Sequence, residues 1–263
     1  NSLWIQDSFS VKSQFLQTVT NYYDAEVFRT VLSQTEGADK INEWIKDNTD
    51  GKIDSVINNL TPETAMVLVN TLLFDDEWIT PYTDADIKDG VFKGVKGDET
   101  TSFMTSNEML IESTDAKGFV KNFANTPCKF VAILPNENIT LEEYLISLSG
   151  AKLNTIMNSL NGTNRCLASI PQFKIEPSHM LGDTVKSMGA ELMFTKDADF
   201  KNLTMTEGLY VSDILQKSFI EVSPVGAKAG AATVIDVNTS ANPNEFENLK
   251  FDRPLVFIIV ENE

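Results

Sequence analysis

Apolar positions recur along this chain with two periods. Residues 65–74, AMVLVNTLLF, form a nearly unbroken apolar run interrupted chiefly by Asn70. A run of that length suits a central strand covered on both faces. Shorter apolar or alternating runs predict further strands at 129–134, closed by Pro135, and at 166–176, 209–214, 219–222 and 254–260. Elsewhere the period lengthens to that of a helix. After a strand-like start at Trp4, the residues Phe15, Leu16, Val19 and Tyr22 fall on one helical face. Ile41, Trp44 and Ile45 mark a second helix within INEWIKDNTDGKI (41–53), with Gly51 as its stop. Two more helical patterns cover 141–153 and 180–188. Strands and helices interleave irregularly and no fixed-period repeat exists, which predicts an α+β fold with large sheets. No low-complexity linker divides the chain, so it reads as one domain, 1–263.

One late stretch departs from this use of large apolar residues. Residues 225–244 read VGAKAGAATVIDVNTSANPN, and their first half is mostly Ala and Gly. The stretch still alternates. Ala227, Ala229, Ala231, Thr233, Ile235 and Val237 share one parity, while Lys228, Asp236 and Asn238 fall on the other. That is the pattern of a half-buried strand, but Ala and Gly are poor residents of a sheet. The segment reads as a strand able to enter a sheet without obstruction and then to continue on a face large enough to pack.

Composition narrows the function by exclusion. With 38 acidic against 21 basic residues the formal charge is -17, so nucleic acid and anionic membrane surfaces would be repelled. The acidic residues are scattered, as on a solvated surface. No run of eighteen apolar residues and no basic, apolar leader is present. The one histidine, His179, lies in the turn-like EPSH and reads as an exposed turn residue. With no GxSxG nucleophile motif beside it, nothing indicates an enzyme's catalytic site. HExxH, Walker, GxGxxG and EF-hand patterns are also missing, so no metal or cofactor is implied. Cys128 and Cys166 sit inside apolar runs without CxxC spacing and read as buried free thiols. The chain opens at Asn1 without an initiator Met and stops at Glu263 directly after the apolar run 254–260, so both ends read as cut.

Several of these segments, in order, resemble the serpin family across the whole chain. INEWIKDNTDGKI (41–53) is similar to the helix overlying that family's main sheet. VLVNTLLFDDEW (67–78) resembles the third strand of that sheet, with Asn70, Phe74 and Trp78 on the family's Asn, Phe and Trp positions. IPQFKIE (170–176), ADF (198–200), FIEV (219–222) and FDRPLVFII (251–259) match four more. The resemblance implies an α+β serpin fold: a large central β-sheet, additional sheets and surrounding helices. It also implies that the family's N-terminal helices, the strand ahead of Asn1 and the final C-terminal strands lie outside this sequence, leaving apolar surface exposed.

Under that resemblance the late stretch takes a role. Residues 224–250 correspond to the reactive-centre loop, with Gly226, Ala227, Lys228, Ala229, Gly230, Ala231, Ala232 and Thr233 as its hinge, and the sheet-opening region falls at Asn70, Trp78 and Gln216. In the family a serine protease cleaves this loop, remains acylated, and is trapped when the loop inserts into the main sheet. The reactive bond is placed between Ser240 and Ala241, with a possible register anywhere in 238–243. Those positions hold no Arg, Lys or aromatic residue, which points to elastase-like or subtilisin-like proteases with shallow primary pockets. The sequence departs from the family's pattern at Pro224 and Lys228, where acidic residues are usual, and at Gln216, where many members carry His. The alternatives are a non-inhibitory serpin-fold binding or structural protein, and an inactive fragment. Five sequons occur, at Asn59, Asn138, Asn161, Asn202 and Asn238, and the last would crowd the reactive bond. That favours a bacterial source. By family analogy the expectation is a monomer, extracellular or at the cell surface.

Overall fold

A computed structural model describes residues 1–54, 57, 60–212, 214–227 and 246–261. In chain order its first elements are β1 (Ser2–Gln6), α1 (Ser13–Tyr23), β2 (Glu26–Thr30), α2 (Thr35–Asp47), β3 (Met66–Val69) and β4 (Thr71–Leu73). Then come β5 (Ile87–Gly94), β6 (Gly97–Glu112), β7 (Ala116–Asn122), β8 (Cys128–Pro135), α3 (Leu141–Ser147), α4 (Gly150–Asn158), β9 (Arg165–Pro171) and β10 (Phe173–Ile175). The last are β11 (Ser178–Met180), α5 (Gly182–Val185), β12 (Leu215–Val222), β13 (Glu247–Lys250) and β14 (Val256–Glu261). These form two compact units, Asn1–Leu73 with Ile175–Phe219, and Phe74–Lys174 with Ile220–Glu263.

The first unit is organised around β1, which pairs in parallel with β2 and antiparallel with β3. Successive side chains of a strand point to opposite faces. Leu3 and Ile5 accordingly pack with Phe15, Leu16 and Val19 of α1, while Trp4 packs on the other face with Ile41 and Ile45 of α2. The helical spacings in the sequence are thus the two covers of one strand. Helix α2 begins at Thr35, ahead of the expected start, because the chain turns at Gln34 and not at Ile41. Gly51 supplies the positive φ of 70° that follows it.

The run 65–74 divides at Asn70. Its first half, β3, pairs with β1, and its second half, β4, pairs in parallel with β12. Val67, Val69 and Leu73 enter the α2-covered core, whereas Leu68 and Leu72 are 66% and 56% exposed. The expectation of cover on both faces therefore fails within this chain. Two other expectations also change. Residues 209–212 and 214 form no strand: Val211 N–H donates to the Met193 carbonyl at 2.9 Å, but no ladder follows. The helical pattern at 180–188 begins only at Gly182, because Met180 belongs to β11, and α5 continues as a π-turn over Lys186–Ala190, which kinks where Gly189 adopts a φ of 102°.

The second unit is built on a seven-stranded sheet, ordered β13-β9-β6-β7-β8-β14 with β5 paired to β6. Strand β8 explains why its sequence is apolar at every inner position. Phe130, Ala132 and Leu134 pack on one face with Phe119, Ala168 and Phe251, while Val131 and Ile133 pack on the other with Tyr144 of α3 and Ile156 of α4. The helix expected over 141–153 is divided between α3 and α4. Ser149 causes the division: its Oγ accepts the Lys152 N–H at 3.2 Å and caps α4. Ser149→Ala removes that acceptor and is expected to cost about 1 kcal/mol, measurable as a lower thermal midpoint. An unchanged midpoint would show that the cap contributes nothing.

Candidate functional site

At the start of the small-residue segment the structure describes Gly226 and Ala227, both in the second unit. The chain leaves β12 at Val222 and folds back on itself, with Ser223 N–H and Oγ both donating to the Gly226 carbonyl at 2.9 Å. It then docks against residues 76–82. Trp78 N–H donates to the Val225 carbonyl at 2.8 Å, Tyr82 N–H to the Pro224 carbonyl at 2.9 Å, and Ala227 N–H to the Asp76 carbonyl at 2.9 Å. Gly226 and Glu77 form an isolated antiparallel bridge. Gly226 and Ala227 are therefore held against residues 76–78 by an isolated bridge and its flanking hydrogen bonds.

Small residues are required at this rung by geometry. A Cβ on Gly226 would lie 2.2 Å from the Asp76 carbonyl oxygen and 2.6 Å from Glu77 Cα, so no side chain fits. Ala227, 2% exposed, joins the core of Trp78, Phe130 and Phe251. Lys228, Ala229, Gly230, Ala231, Ala232, Thr233, the reactive pair Ser240 and Ala241, and the sequons at Asn59 and Asn238 lie outside the described residues.

Trp78 forms the floor of the site. It is 2% exposed, stacks on Phe123 with centroids 4.6 Å apart, and meets Phe130 edge-on at 5.6 Å. Its Nε1–H donates to the Ser223 carbonyl at 3.0 Å, so the indole holds the fold-back as well as the core. Beneath it Lys121 Nζ lies 5.7 Å from the Trp78 ring and 4.4 Å from the Tyr82 ring, and pairs with Glu108 at 2.5 Å. Burial, and secondarily the Glu108 charge, hold the Tyr82 phenol well above its ordinary pKa.

Asp76 anchors the other side. Its carboxylate accepts the Glu77 N–H at 2.7 Å, the Asn125 N–H at 3.1 Å, the Asn125 Nδ2–H at 2.8 Å and the Thr126 hydroxyl at 2.7 Å. Burial alone would raise its pKa; the hydrogen bonds from Thr126, Asn125 and Glu77 outweigh it and hold the carboxyl below the usual range.

The sequence reading of the site missed Asp76, Asn125, Thr126, Lys121 and Glu108. The acidic triplet 75–77 looks like solvated surface. A signal for Lys121 did exist: it shares parity with Phe119 and Phe123, both buried, so its side chain is directed inward.

Asn70 and Gln216 belong to the first unit. The Asn70 amide donates to Asn1 Oδ1 at 2.7 Å, and Gln216 stands in register with His179 across β11 and β12. The histidine is thus exposed, as expected, but on a strand and not in a turn. The two cysteines are free thiols; Cys166 is buried, whereas Cys128 is only half-buried because it begins an outer end of β8. Among the described residues no group of three or more His, Cys, Asp or Glu could hold a metal ion.

The chain that carries this docked segment belongs to the serpin family. The family model described as "Serpin (serine protease inhibitor)" matches residues 1–263. The native-state structure of a thermophilic serpin, tengpin, superposes with a TM-score of 0.90 at 37% identity, covering 99% of this chain and 68% of that one. An uncharacterized serpin-like protein of Thermococcus kodakarensis is 27% identical over 269 residues, all of this chain and 62% of its own length. Serine proteinase inhibitor 2.4 of Apodemus sylvaticus is 27% identical over 270 residues, 98% of this chain and 63% of its own length. The chain thus spans less than two thirds of either of these relatives.

Proposed function

We propose that this chain carries the reactive machinery of a suicide-substrate inhibitor of serine endopeptidases. The observation that carries the reading is the Gly226–Glu77 rung, with Ala227 buried behind it and a run of small residues next in sequence. A protease serine attacks the loop carbonyl at Ser240, expels the new amino terminus at Ala241 and becomes an ester of the loop. Freed at that end, the loop lengthens the existing ladder. Continued in the same antiparallel register, the loop would bring Ala229 opposite Phe74. Some fifteen inserted residues at about 3.3 Å each carry the acylated protease roughly 50 Å, which distorts its active site before water can cleave the ester.

The small, uncharged residues of 238–243 favour elastase-like or subtilisin-like targets, whose shallow pockets accept such side chains. The whole chain acts as one domain in this reading, as a monomer, outside the cell and of bacterial origin. The test mixes the full-length protein with pancreatic elastase, or with a subtilisin, on a denaturing gel. A band at the summed masses that survives denaturation, with the released peptide starting near Ala241, is the expected result. Cleavage by both enzymes without such a band would favour a non-inhibitory serpin. Thr233→Arg, which places a charge on the inward parity, is expected to turn the inhibitor into a substrate, since burying an unpaired charge costs several kcal/mol. Full trapping by that variant would show the hinge to be wrongly placed.

A further inference from the structure

We infer that Asp76 is the positioning residue that sets the register of the hinge. The inference rests on the inhibitory reading above, but its core, that Asp76 holds the first rung, concerns the uncleaved protein alone.

The carboxylate is 3% exposed and every bond described for it goes to a group that fixes the main chain around the rung. Oδ1 takes the Glu77 N–H, the Asn125 N–H and the Asn125 amide, and Oδ2 takes the Thr126 hydroxyl. A buried carboxylate is retained only where its acceptor sites are filled in this way. The result is a peptide group at 76–77 whose position is dictated from one side by the Asn125–Thr126 turn. On its other side the same peptide presents its carbonyl to Ala227 N–H and leaves no room beside Gly226 for anything larger than hydrogen.

Why register should need a dedicated residue follows from the sequence. Shifting a strand by one residue moves every side chain to the opposite face. Such a slip in this loop would turn Lys228 inward and Ala227 outward. Insertion would then stall on a buried lysine while the acyl bond hydrolysed. The rung made by Asp76 exists before cleavage and persists in the lengthened ladder, so it does not oppose insertion. It selects the register before the race against hydrolysis begins.

The experiment uses the full-length protein and its Asp76→Ala and Asp76→Asn variants. Two quantities are read: amide hydrogen exchange of the peptide containing Ala227 in the uncleaved protein, and the ratio of covalent complex to cleaved, free inhibitor with elastase. Asp76→Ala is expected to raise exchange at Ala227 and to shift the partition toward cleaved inhibitor, each by about tenfold, the usual scale for losing hydrogen bonds to a charged group. Asp76→Asn keeps an acceptor at Oδ1 and should restore most of both. Unchanged exchange in Asp76→Ala overturns the inference even if the wild-type protein traps protease. Equal losses in the alanine and asparagine variants overturn it as well, since general loosening would then be the cause. If the wild-type protein is cleaved without trapping, the inhibitory reading falls, and the exchange comparison still decides whether Asp76 holds the rung.

Discussion

Replacing Lys121 with alanine is expected to remove about 3–5 kcal/mol of stability, the cost of breaking one side of a buried ion pair. Lys121 and Glu108 have side chains only 4% and 12% exposed and meet at 2.5 Å. Truncating the lysine leaves the Glu108 carboxylate with the Ser106 hydroxyl, which donates to it at 2.6 Å, and with no cation. It also strips the charge from beneath the Trp78 and Tyr82 rings. For a chain of this size the thermal midpoint should fall on the order of 10 °C. A fall under about 2 °C would show that water or rearrangement compensates the carboxylate. The double variant Lys121→Met with Glu108→Leu should recover most of the loss, because apolar replacement of both partners removes the desolvation cost together with the attraction. Recovery identifies the ion pair as the cause and separates it from a general defect in the sheet.

Gly226→Val is expected to have its largest effect on trapping. Its Cβ would stand 2.2 Å from a backbone oxygen, and no side-chain rotation relieves that contact. The hinge must lift away from Asp76 and Glu77, at about 1–3 kcal/mol if the strain resembles that of an overpacked core. The covalent complex with elastase should then fall by about five- to a hundredfold, each 1.4 kcal/mol being a factor of ten, while cleavage of the loop continues. Undiminished trapping would mean that the rung is dispensable and that insertion nucleates elsewhere.

Much of the architecture is legible in single segments. The apolar run of β8 predicted a strand, and the helical spacings predicted α1 and α2; that both faces of β8 are covered and that the two helices cover β1 emerged only from the structure. Where reading failed, the cause was long-range. The run 65–74 carries two apolar faces, yet only contacts far along the chain determine that Val67 and Val69 are enclosed and Leu68 and Leu72 are not. Residues 209–212 alternate like a strand but face a single carbonyl partner at Met193. The site divides in the same way. Gly226 and Ala227 stood out in the sequence because small residues at alternate positions break with the large apolar residues used elsewhere. Asp76 did not, because its partners Asn125 and Thr126 lie about fifty residues away and nothing local distinguishes a clamped carboxylate from a solvated one.

The unequal burial of the two thiols gives the protein a built-in attachment point. Cys166 is enclosed, with its pKa pushed up to about 12 by burial and then by the charges of Glu108 and Glu247, so it offers almost no thiolate to an electrophile. Cys128 is half-buried, and its N–H donates at 3.3 Å to the hydroxyl of Thr126, the same hydroxyl that binds Asp76. A fluorophore coupled there would sit beside the turn that holds the rung, and its emission would follow the docking and release of the hinge in real time without any engineered cysteine.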